Sequence, residues 1–373
     1  MRKEEVRGLI IYSILIVTAL IVGFAVIKPQ MSQYGPNMSD LLFIIIVLVV
    51  AYLFNTIGLE ILHVFGAIFG GYYVTSFNIL GICLYKTEEK WKLGFRDFNG
   101  ISGETKIAPK KVKTNANLLT WCPLFGYAIE LATCIVLAIL VKNGSIKALW
   151  IRPAAFLFLL ISSMLAFYNF IPLKLDSMTD GYRIRLFTQP VNIEAYNKML
   201  AIQEQQRLGK SVENVPVFEE ITEYTAEINM LAMYKCLEEE KYNEAIQILD
   251  RLLENQKVLS LNDYNRLIAQ RLYLAILTEP IQDARKLYDE ICPIEIRRFI
   301  ANDISMPSIR AYVLIAGMME DSESEVAYAK SKVEKAKKRA LASERKTEEV
   351  LLEKALDYVY ENHPLWSKEK AAD

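Results

Sequence analysis

The polar and apolar positions of this 373-residue chain fall into two unlike halves. Up to about residue 172, long apolar runs carry no charge. From about residue 190, charges are dense and apolar residues recur at helical spacing. Gly8–Ile27 is a run of about twenty uncharged residues, long enough as a helix to cross a hydrocarbon core of roughly 30 Å. It is longer than the apolar core of a signal peptide and no small-x-small site closes it, so an uncleaved span is expected. Further runs at about 41–71, 116–141 and 149–171 complete a predicted bundle of four spans within residues 1–188.

Between the second and third spans, "YYVTSFNILGICLYK" alternates β-branched, aromatic and small residues, and "EEKWKLGFRDFNG" adds turn residues and further β-formers. The pattern predicts a short β-hairpin or ribbon at the cytoplasmic face. A basic loop held against anionic lipid is the other reading.

Residues 193–373 read as a soluble, mainly α region. "NMLAMYKCLEEEKYNEAIQILDRLLEN" is a helix–turn–helix with Tyr242, Ala245 and Leu249 at spacings that resemble the tetratricopeptide repeat, although the early tryptophan and glycine positions of that repeat are not filled. A looser pair follows within 264–291 and a third within 307–340. A solenoid of about three helical pairs is expected, because one pair cannot bury its apolar stripe alone. A plain helical bundle is the alternative. The Glu–Lys-rich run from Glu325 to His363 predicts a solvated helix face or a coiled-coil contact, and His363, before a proline, is expected at the surface.

A net charge of −1 argues against a nucleic-acid partner. Basic residues set the orientation: Arg2, Lys3 and Arg7 precede the first span. Lys86, Lys90, Lys92, Arg96, Lys106, Lys110, Lys111 and Lys113 lie between the second and third, and Lys174, Arg183 and Arg185 follow the fourth. The connections "KPQMSQYGPNMSD" and "KNGSIK" are basic-poor, so both termini are expected in the cytoplasm of a multi-pass protein, with the bacterial inner membrane as its location. Cys83, Cys122, Cys134, Cys236 and Cys292 form no CxxC pair and read as buried thiols.

Glu60 and His63 stand out because charge within a span is costly. Three residues apart, they share a helix face. Either they form a polar site facing the bundle interior, or each is satisfied by one ordinary hydrogen bond. A second polar stretch, "YNFIPLKLDSMTDGYRIR", ends the fourth span at Asn169 and Pro172, and Asp180-Gly181 is expected to make a tight turn aiming a carboxylate back at the bundle.

Together these stretches resemble the site-2 protease family of intramembrane zinc metalloproteases. In that family a span carries HExxH followed by a "GY…SF" continuation, and a later span ends in N-x-x-P before a DG whose aspartate is the third zinc ligand. Here "LHVFGAIFGGYYVTSF" places His63 at the first histidine and Gly66 at the glycine, with Gly71-Tyr72 and Ser76-Phe77 beyond. Asn169, Pro172, Asp180 and Gly181 match the second motif, and the resemblance covers about residues 1–188. It implies metal ligation by His63 and Asp180, and a binding role for Asn169, Pro172 and Gly181.

The chain departs from the family where chemistry is needed. Val64 replaces the catalytic glutamate, Ala67 replaces the second histidine, and Cys122-Pro123-Leu124 stands where a GPLAN-like run is usual. Valine cannot take a proton and alanine cannot bind zinc. The resemblance therefore implies a degenerate, non-cutting member, without zinc, that binds a membrane segment or peptide and recruits a cytoplasmic protein through its helical region. Two alternatives stay open at this point. One is an active zinc protease using Glu60 as substitute ligand with His63 and Asp180, and with Cys122 near the cavity. The other is a membrane-anchored scaffold.

Overall fold

The computed structural model describes residues 3–22, 25, 38–79, 81–87, 90–95, 103–110, 114–145, 151–173, 178–210, 212, 214–339 and 342–366. Arg2, Arg96, Lys111, Lys113 and Lys174, most of "KPQMSQYGPNMSD" and the last two residues of "KNGSIK" lie outside the described residues. The chain divides into two compact units, Met1–Ala201 and Ile202–Asp373. The division falls inside a helix, Pro190–Arg207, rather than in the expected break at 188–193.

In the first unit, α1 (Lys3–Val22) and α2 (Met38–Gly70) precede a sheet of β1 (Tyr72–Ile79), β2 (Ile82–Lys86), β3 (Trp91–Phe95) and β4 (Glu104–Pro109). Then come α3 (Asn117–Lys142), α4 (Ile151–Phe170), α5 (Asp180–Leu186) and α6 (Pro190–Arg207). Helices α2, α3 and α4 pack on one another, and α1 lies against α4.

Among the described residues, two helices are long and apolar enough to cross a membrane, over Leu42–Gly70 and Asn117–Leu137. Many of their large apolar side chains, among them Leu42, Ile46, Phe54, Trp121, Phe125 and Ile129, are exposed, unlike those of a soluble core helix. The expected second and third spans match these. Among the described residues, the expected first and fourth spans correspond to apolar helical stretches at Gly8–Thr18 and Ala154–Phe170, and the end of the expected first span lies outside the described residues.

The expected hairpin is larger than its sequence suggests. All four strands are antiparallel in the order β3-β2-β1-β4, with a register shift between Val74 and Ser76. Strand β4 lies beyond the two stretches that predicted the hairpin, and its partners on β1 are 26 (Asn78 with Glu104) to 37 (Tyr72 with Pro109) positions away, beyond what local alternation signals. Register puts Ile82 opposite Phe95 and Leu84 opposite Leu93, so one face of β2–β3 exposes these four together with Trp91.

Among the described residues the second unit is built of helices: α7 (Glu223–Glu238), α8 (Tyr242–Glu254), α9 (Leu261–Thr278), α10 (Ile281–Ile291), α11 (Ile294–Asn302), α12 (Met306–Leu314), a π-helical turn Ile315–Met319, α13 (Glu323–Ser331), α14 (Val333–Arg339) and α15 (Ala342–Asn362). Thr222 caps α7 in a reciprocal box with Thr225, and Ser260, Ser305 and Ser322 cap α9, α12 and α13. Hairpins α7–α8 and α9–α10 bury Ala245, Leu249 and Leu272. Helix α11 then intervenes before α12, so the pairs do not run on uninterrupted.

The Glu–Lys-rich run is not a free solvated helix. Leu351, Ala355 and Val359 form an i, i+4, i+8 stripe that packs α15 on α12. The stripe carries Glu348 inward to the fully buried Arg310, 3.0 Å from its Nε. Nor is His363 a plain surface residue. It stacks on Trp366 with ring centroids 3.9 Å apart, and its Nε2 lies 3.0 Å from the Gly317 carbonyl.

Candidate functional site

Helix α2 carries a polar stripe within its apolar length. Tyr52, Thr56, Glu60 and His63 follow one another at four, four and three residues, and so share one face. That face lines a cavity of about 920 Å³ bounded by α3, α4, α5, α6 and the sheet. Asn78, Thr105, Tyr127, Tyr168, Asn169, Asp180 and Arg183 reach it from those elements.

His63 is held from both sides. Its Nδ1 lies 3.1 Å from the Leu119 carbonyl, which can only accept, so Nδ1 carries a proton. In a regular helix that carbonyl would accept from the N–H of residue 123, but residue 123 is proline and has none. His63 supplies the missing donor. Its Nε2 faces Asp180 Oδ2 at 3.6 Å, beyond direct hydrogen-bond length. Gly66, one turn on, lets α2 and α3 meet here: a Cβ would fall 2.5 Å from the Leu118 carbonyl oxygen.

Glu60 is buried and accepts a 2.5 Å hydrogen bond from the Thr105 hydroxyl on β4. Asp180 begins α5 as its first helical residue, behind the N-cap Thr179. The expected Asp-Gly turn is thus a helix start, and Gly181 is not in a left-handed conformation. Glycine is required because a Cβ there would sit 2.0 Å from the Phe170 carbonyl oxygen, at the end of α4. Thr179 fixes the reversal, its hydroxyl donating to Ile171 O at 2.7 Å. Burial pushes the Asp180 carboxyl up to about 6, against the opposing pull of Arg183, whose Nη1 is 3.7 Å away.

Of the three residues matched for binding, Asn169 reaches the cavity and donates to the Tyr127 hydroxyl at 3.2 Å. Pro172 is exposed past the end of α4, and Gly181 serves the helix contact. Val64 turns away into an apolar groove of about 650 Å³, shared with Ile61, Ile68 and Phe77. Ala67 is fully buried among Tyr72, Leu119 and Leu200. Cys122 is not part of the cavity lining.

These side chains do not fit the zinc that the resemblance implies. A family site needs three protein ligands, whereas His63 and Asp180 supply two, the third position is packed alanine, and Glu60 is engaged by Thr105. Among the described residues, no group of three or more His, Cys, Asp and Glu is placed to hold a metal ion. The sequence reading missed Tyr52, Thr56, Thr105, Tyr127 and Arg183. The first two were legible as an i, i+4 extension of the Glu60–His63 face, and Arg183 as the i+3 neighbour of Asp180. Thr105 and Tyr127 meet the site only through packing.

A scan against protein-family models finds no match, and searches of curated proteins and of solved structures find none.

Proposed function

We propose that this protein is a catalytically degenerate, site-2-protease-like membrane protein that binds a membrane segment or peptide without cutting it. One observation carries the reading: His63 and Asp180 converge at 3.6 Å on a polar cavity, while Val64 and Ala67 pack into apolar surroundings where base and ligand would stand. A water activator and a third ligand are both missing, so the pocket retains shape and polarity but not hydrolytic chemistry. It sits in a bundle of four spans with both termini cytoplasmic; the apolar helices α1 and α4, beside the two long ones, support this topology. The exposed β2–β3 face, with Lys86, Lys90 and Lys92 nearby, suits contact with anionic lipid. The helical second unit is the element proposed to recruit a cytoplasmic protein. Elemental analysis of detergent-purified protein, with a cleavage assay on a membrane substrate, tests the proposal. Substoichiometric zinc and no cleavage are expected; stoichiometric zinc with cleavage overturns it.

A further inference from the structure

The cavity lining favours one chemical group. Glu60, Glu104 and Asp180 bring three carboxylates to it, against the single guanidinium of Arg183 among the described lining residues; Glu60 accepts from Thr105, Glu104 pairs with Lys106 at 3.6 Å, and Arg183 faces Asp180. The ring proton of His63 on Nδ1 is given to Leu119, which leaves Nε2 and Asp180 Oδ2 as two acceptors facing each other with no donor between them. Asn78 Oδ1, on the same lining, is buried and has no hydrogen-bond partner among the described residues. A buried acceptor in that state calls for a donor. Tyr52, Tyr127, Tyr168 and Tyr196 add electron-rich rings of the kind that attract cations.

We propose that the cavity takes a primary ammonium group, and that this group is the side chain of a lysine at the cytoplasmic end of the bound membrane segment. The inference rests on the segment-binding reading above. An ammonium carries one positive charge and three donors and no acceptor, which suits the facing acceptors His63 Nε2 and Asp180 Oδ2 and the unpartnered Asn78 Oδ1. A lysine at a helix end reaches such a site on its flexible stem while the segment stays in the apolar layer. An ethanolamine lipid headgroup presents the same chemistry, so the test separates the two sources.

The full chain, purified in an uncharged maltoside detergent, is titrated with a fluorescent Leu–Ala span peptide bearing one terminal lysine. A twin peptide carrying acetyllysine serves as comparison. The lysine peptide should bind at least about tenfold more tightly, the worth of one desolvated charge-assisted contact. The advantage should shrink in Asn78→Leu and Glu104→Gln proteins and persist when phosphatidylethanolamine is added. Loss of the advantage to that lipid overturns the lysine as the source. Equal binding of the two peptides overturns the ammonium inference and leaves segment binding standing. Binding of neither overturns both.

Discussion

His63 donates to the main-chain carbonyl of Leu119 on the neighbouring helix, and that carbonyl is the one Pro123 deprives of its helical donor. A histidine and a proline sixty residues apart thus complete one hydrogen-bond ladder. In an apolar span an unmet carbonyl is costly, so this contact explains His63 even where zinc does not.

Removing the ring should be costly in proportion. His63→Ala is expected to destabilise the folded protein by about 1–3 kcal/mol, because the Leu119 carbonyl loses its donor. In a Pro123→Ala background the backbone N–H returns, and the same substitution should cost less by about 1 kcal/mol. Unfolding in detergent, run as a double-mutant cycle, measures the coupling; equal costs in both backgrounds would break the proposed link.

Restoring the family's motif should not restore a metal site. Ala67 is fully enclosed by Tyr72, Leu119 and Leu200, so Ala67→His should overpack the contact and cost about 1–3 kcal/mol. Combined with Val64→Glu, it should still leave zinc substoichiometric, since residue 64 faces the apolar groove. Metal content and melting temperature of the double variant decide the point.

Asp180 carries a pH signature. Its folded carboxyl titrates near 6, above the ordinary value of 3.8, so the unfolded chain loses this proton first as pH rises. Stability should fall between about pH 4 and 6, by roughly 3 kcal/mol from this group, and then level off. The Asp180→Asn protein should lack that fall and overtake the native protein across the same window. Parallel stability–pH curves for the two would contradict the assignment.

The second unit holds a buried pair whose halves are not worth the same alone as together. Arg310 is fully buried, with Glu348 and Gln270 as partners and Tyr273 beneath it at 4.1 Å. Arg310→Ala leaves Glu348 unpaired in the core and should cost about 3–5 kcal/mol. Replacing both, Arg310→Met with Glu348→Leu, should recover most of the loss, as read by thermal unfolding of the helical signal in the full chain.

Hydrophobic period and run length alone determined a good part of this protein. The length of the apolar runs marked the two long helices, and the three-residue spacing of Glu60 and His63 placed both on the cavity face. The alternation at 72–86 marked two strands. Those signals are local, carried by residues within a few turns of one another. Tertiary structure decided the rest. Strand β4, the helix start at Asp180, the inward stripe of α15 and the Thr105 cover over Glu60 each depend on a partner distant in sequence. Such contacts are chosen by packing and by the need to satisfy buried polar groups. Pro123 illustrates the division most clearly: its missing N–H is plain in the sequence, but only the crossing of two helices at Gly66 brings His63 to the carbonyl left without it.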